Sequence, residues 1–117
     1  MLDVQFSHDG QIIASSGEDR QIRLWKNSVQ NKCKVISGHS GAVRNIHFSN
    51  DSSLLLSASD DKTIKLWSVK DKKFQVSLTG HLNWVLSAQF SPDNRIIGSG
   101  SDDKTARLWD INSKSLI

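Results

Sequence analysis

Short runs of β-branched and aliphatic residues recur along the 117-residue chain, each closed off by Gly, Asp, Asn or Ser. Read as strands, they fall at 3–6, 12–16, 21–25 and 33–37, then at 43–48, 54–58, 63–67 and 74–79. A third set follows at 84–90, 96–100 and 105–109, and a last strand begins at 115–117. Polar turns such as Ser7-His8-Asp9-Gly10, Ser49-Asn50-Asp51-Ser52 and Ser91-Pro92-Asp93-Asn94 separate the first and second strands of each set. Even spacing of short strands and turns is the pattern of an all-β protein. No segment sustains a helical period. Pro92 falls in a turn, where its fixed φ helps and its missing donor costs nothing.

The three sets are copies of one unit. Ser59-Asp60-Asp61-Lys62-Thr63-Ile64-Lys65-Leu66-Trp67 returns as Ser101-Asp102-Asp103-Lys104-Thr105-Ala106-Arg107-Leu108-Trp109. A looser copy is Gly17-Glu18-Asp19-Arg20-Gln21-Ile22-Arg23-Leu24-Trp25, and Trp25, Trp67 and Trp109 stand 42 residues apart. Gly38-His39 opens the second unit and Gly80-His81 the third, whereas nothing comparable precedes the first. The units run over about 1–37, 38–79 and 80–117, the last with an incomplete final strand. A fixed period of this length marks a repeat architecture.

Composition narrows the class without naming a function. No apolar run approaches the roughly 20 residues needed to cross a bilayer, so no membrane is expected. The opening residues Met1-Leu2-Asp3-Val4-Gln5-Phe6 alternate and carry an acid, unlike a targeting segment. The single cysteine, Cys33, excludes an internal disulfide framework and fits a reducing, cytoplasmic setting. A net charge of +3 only mildly favours acidic partners.

The Gly-His dipeptide, the following V-x-x-[IV]-x-F-S and the closing S-D-D-K-T-x-[KR]-L-W resemble WD40 repeats, over the whole chain. The resemblance implies three four-stranded blades of a β-propeller, part of a larger ring of about seven blades. The missing blades would come from a longer chain or from self-association, because three blades cannot close a ring. Departures exist: only Trp109 is followed by Asp, while Trp25 precedes Lys26 and Trp67 precedes Ser68. Residues 43–49, 57–63 and 81–85 further resemble the middle blades of the centriolar WD40 proteins (the "proteome of centriole" family). That implies a non-catalytic scaffold of the centriole or basal body, with tubulin or centriolar proteins as partners. The alternative is a WD40 adaptor in a ubiquitin-ligase, splicing or chromatin assembly.

The resemblance also implies a hydrogen-bonded tetrad in each blade: His39, Ser57, Asp61 and Trp67 in the second, His81, Ser99, Asp103 and Trp109 in the third. The first keeps Ser15, Asp19 and Trp25 but lacks the histidine. Donors and acceptors balance in such a set, and its aspartates are expected to be buried. A His, a Ser and an Asp per unit have the residue types of a hydrolase triad, but a catalytic site is expected once and needs an exposed nucleophile. No enzymatic activity is expected. No cofactor or metal is expected either, since His39 and His81 lie one per unit and no ligand spacing surrounds them. His8 and His47 carry no evident role.

Two surfaces remain as candidate binding sites. Lys32, Lys34, Lys70, Lys72 and Lys73 cluster between the third and fourth strands of the units and would form a basic rim. Without interleaved aromatics, nucleic acid is an unlikely target for it. On the opposite rim, Trp84 stands outside the repeating tryptophans beside Asn83, with Arg44 and Leu86 nearby. Tryptophan is favoured at interaction hot spots, so this rim is the candidate anchor for a protein partner.

Overall fold

The computed structural model describes residues 3–8, 10–26, 33–69, 73–111 and 115–116. Among these residues twelve strands form three antiparallel four-stranded sheets. The first holds β1 (Asp3–Phe6), β2 (Ile12–Ser16), β3 (Gln21–Lys26) and β4 (Cys33–Ser37). The second holds β5 (Val43–Phe48), β6 (Leu54–Ser59), β7 (Thr63–Ser68) and β8 (Lys73–Thr79). The third holds β9 (Val85–Phe90), β10 (Ile96–Ser101), β11 (Ala106–Asp110) and β12 (Ser115–Leu116). Each sheet is a meander, its strands paired in chain order, as short turns between antiparallel strands require.

Several strand boundaries differ from the sequence reading by one residue. Trp84 precedes β9 because its carbonyl is taken by Ser101 Oγ (2.7 Å) and Asp102 N (2.9 Å). Thr105 precedes β11 because β12 is two residues long and pairs only with Trp109 and Asp110, whereas its counterpart Thr63, with the same bonds to its turn Asp, pairs with Thr79 of β8. At the fourth strand of the second sheet, Lys73 pairs with Ser68 and belongs to β8 rather than to a loop.

The sheets stack face to face, the first strand of each lying across its predecessor: β5 meets β1 and β2, and β9 meets β5 and β6. Two apolar cores fill the seams. Ala14, Ile22, Leu24 and Ile36 of the first sheet meet Val43, Ile46, Phe48, Leu55 and Trp67 of the second. Leu56, Ile64, Leu66 and Leu78 then meet Val85, Ala88, Phe90, Ile97 and Trp109. The same repeat positions are left open at the two ends of the stack, where Phe6 is 60% and Leu108 53% exposed.

A first strand has a free edge, whose N–H groups need partners. Side chains of the preceding sheet supply them. Asp3 Oδ2 accepts from Ile46 N (3.0 Å) and Asn45 Nδ2 (3.1 Å), Asn45 Oδ1 from Ala88 N (3.1 Å), and His47 Nδ1 from Phe90 N (3.2 Å). His47, assigned no role from sequence, thus bridges two sheets. Burial lowers its pKa from the usual 6.5, with the nearby His8 adding to the shift.

Candidate functional site: the repeated polar set and the Arg44–Trp84 rim

In the second sheet the turn after β6 delivers Asp61, and the segment before β5 delivers His39, to the same buried point. His39 Nδ1 lies 2.7 Å from Asp61 Oδ2 and Nε2 lies 2.6 Å from Ser57 Oγ. Trp67 Nε1 donates to Ser57 Oγ at 2.9 Å. A carboxylate only accepts, so His39 carries a proton on Nδ1; Ser57 then donates to Nε2 while accepting from the indole. Every group is satisfied along one chain, which removes the desolvation cost of burying them. The imidazole is 1% exposed.

Asp61 receives further N–H and O–H donors from Ser40 and Thr63. Burial pushes its carboxyl pKa up, but the bonds from His39 and Thr63 outweigh this and hold it well below the usual range. The third sheet repeats the arrangement. His81 stands 3.0 Å from Asp103 and 2.7 Å from Ser99, and Trp109 donates to Ser99 at 2.9 Å. Thr105, then Leu82 N and His81, hold the Asp103 carboxyl below the usual range. Thr63 and Thr105 were not singled out from sequence, although Asp-Lys-Thr stands in both units.

The glycine of each Gly-His pair has a packing reason. A Cβ on Gly38 would lie 2.8 Å from Trp67 Cη2, and one on Gly80 would lie 3.1 Å from the same atom of Trp109. Gly80 also has φ +154°.

The first sheet departs from this plan. Trp25 Nε1 reaches Ser15 Oγ only at 3.4 Å. Asp19 is not buried, contrary to the sequence expectation; its side chain is 47% exposed and pairs with Arg23 at 2.8 Å. No histidine of this unit draws it inward.

These sets offer no exposed nucleophile. Ser57 is fully buried and Ser99 nearly so, and each oxygen already accepts an indole N–H. Among the described residues no group of His, Cys, Asp and Glu could hold a metal ion. Among the described residues, likewise, no helix is long and apolar enough to cross a membrane.

The rim holding Arg44 and Trp84 is built differently. Arg44 and Leu86 sit at register shifts near the starts of β5 and β9, and a bulge of this kind re-aims a side chain. Arg44 grips Asp60 through Nε (2.5 Å) and Nη2 (3.0 Å), which raises its pKa. Its guanidinium lies 4.8 Å from the ring centroid of Trp84, a cation–π distance. Asn83 Oδ1 accepts from Trp84 N at 2.8 Å. Trp84 is nevertheless 43% exposed, and Leu82 and Leu86 are exposed beside it in sequence. The structure therefore groups Arg44, Asn83 and Trp84. On the other rim, Lys32, Lys70 and Lys72 lie outside the described residues, and the side chains of Lys34 and Lys73 are likewise not described.

The family model described as "WD domain, G-beta repeat" matches residues 1–26, 30–68 and 72–110. Among solved structures, the chain is similar to one titled "Structure of U3-55K", with a TM-score of 0.92 and 24% identity over 97% of this chain and 37% of that one. It is equally similar to "Crystal structure of RRP9 WD40 repeats", with a TM-score of 0.92 and 25% identity over 97% of this chain and 36% of that one. The chain spans little more than a third of either, and the likeness is one of fold. Comparison with curated proteins finds no match. The comparisons lend no support to the centriolar resemblance.

Proposed function

Because the chain belongs to the WD40-repeat family and is thereby a protein-interaction scaffold, we propose that it captures partners on the rim carrying Arg44, Asn83, Trp84 and Leu86. The observation that carries this is the Arg44–Trp84 stack. Asp60 fixes the guanidinium from one side, so a large aromatic is held in place while much of its surface stays open. Rigid Trp and Arg side chains lose little entropy on binding and are the residues most often found at interaction hot spots. The repeated His, Ser, Asp and Trp sets position this rim from behind and take no part in contact.

The partner class we propose is centriolar, tubulin included, and its support is the wording of residues 43–49, 57–63 and 81–85 alone. Localisation of the tagged protein at centrioles or basal bodies supports it. Absence from both structures overturns it in favour of an adaptor in another assembly. The rim itself is tested separately, by comparing proteins captured by the wild type and by Trp84→Ala at equal melting temperature. We further propose that the open end faces around Phe6 and Leu108 take additional sheets, since the same repeat positions are buried at both internal seams.

A further inference from the structure

Asp60 and Asp102 stand one repeat apart in the same backbone setting. Asp60 N donates to the Ala42 carbonyl and Asp102 N to the Trp84 carbonyl, both at 2.9 Å. Their carboxylates are treated differently. Asp60 is gripped by Arg44, which sits at the register shift near the start of β5. At the matching shift of β9 stands Leu86, which has no charge to offer. Asp102 is exposed, and among the described residues it has no ion-pair partner.

We infer that this rim takes a partner segment presenting an arginine beside bulky apolar residues, its guanidinium set on Asp102 and the open surface of Trp84. This rests on the reading of the same rim as the partner-binding surface. Arg44 already displays the chemistry, since its guanidinium pairs with a turn aspartate and lies 4.8 Å from the Trp84 centroid. With 43% of Trp84 still exposed, the indole keeps surface for a second planar cation. Arginine fits better than lysine, because a guanidinium stacks on an indole and pairs with a carboxylate through two N–H groups.

The local field suits a cation. Bonding to Asp60 raises the Arg44 pKa against desolvation, and the charges of Glu18 and Asp102 add to the rise. Carboxylates from all three sheets therefore act on this point. Lys62 and Lys104 share turns with Asp60 and Asp102, but among the described residues neither pairs with them. To reach Arg44, an acidic segment would have to displace Asp60. Leu82 and Leu86, 77% and 42% exposed, flank Trp84 in sequence and offer contact to apolar neighbours of the arginine. The surface is also held in place. The Asn83 and Trp84 carbonyls both accept from Ser101 Oγ, so little ordering is lost on binding.

Titration of the 117-residue chain with the acetylated, amidated peptide Gly-Leu-Arg-Leu-Gly, followed through the indole N–H resonances, tests the inference. The Trp84 signal is expected to move while those of Trp25, Trp67 and Trp109 stay still. Citrulline in place of arginine, neutral but of the same shape, weakens binding by about tenfold, the worth of one charged hydrogen bond. Glutamate in that place abolishes it. Asp102→Asn erases the difference between the arginine and citrulline peptides. Leu86→Arg erases it too, by giving Asp102 a guanidinium from within the chain. Both side chains are exposed, so neither change disturbs a core. A still Trp84 signal, equal binding of the three peptides, or an arginine preference that survives either substitution overturns the inference. None of these results touches the role of the rim in capture, which falls only if Trp84→Ala captures proteins as the wild type does.

Discussion

Gly38 lies against the indole of Trp67 so closely that a Cβ would stand 2.8 Å from Cη2. The ring is 2% exposed and locked by its bond to Ser57, so it cannot swing away. Gly38→Ala is therefore expected to destabilise the chain by roughly 1–3 kcal/mol, the usual cost of overpacking. Gly98→Ala serves as the contrast, because its Cβ would meet only Leu108 at an ordinary 3.8 Å. Urea unfolding of the two variants checks the difference; equal midpoints would refute it.

Ser57→Ala leaves both the Trp67 indole and His39 Nε2 without their partner at a fully buried point. An unsatisfied buried group costs about 1–3 kcal/mol, so a loss in or above that range is expected. Ser15→Ala breaks only a long contact to Trp25, for which a loss of about 1 kcal/mol or less follows from the net worth of one hydrogen bond. Chemical denaturation of both variants makes the comparison. Similar losses would mean that the first sheet is locked as the other two are.

Much of this was readable in the chain. The period of Trp25, Trp67 and Trp109 and the alternation between them give three four-stranded sheets, because strand patterning and turn residues are local properties. The rest depends on neighbours brought together by stacking. Asp3, Asn45 and His47 read as ordinary strand residues, yet they cap the open edge of the next sheet, about one repeat further along the chain. The Asx residue shared by positions 3 and 45 was the available signal. The Arg44–Trp84 stack was only half visible, since the two residues could be placed on one rim but not in contact. Asp19 misled because its neighbours match those of Asp61, while its burial depends on a histidine this unit lacks.

His47 makes stability depend on pH. Burial depresses its pKa in the folded chain below the 6.5 of an unfolded histidine, so the unfolded state binds more protons as pH falls. Stability is then lost as pH drops below about 6.5 toward the folded-state value. His47→Gln should flatten this limb between about pH 7 and pH 5, because glutamine, found at repeat positions 5 and 89, still offers an acceptor to Phe90 N. Unfolding curves across that range test it. An unchanged slope would show that His47 does not contribute to the linkage.

Labour is divided between buried sets that hold the sheets and an exposed aromatic rim that is proposed to bind. Quantitative capture of proteins from cell extract by the wild type, Trp84→Ala and Gln75→Ala, at matched melting temperatures, addresses that division directly. Gln75 is exposed on β8, away from the rim. Trp84→Ala is expected to lose most of the captured protein, by roughly the tenfold or more expected of a hot-spot residue, while Gln75→Ala captures as the wild type does. Equal capture by all three would contradict it.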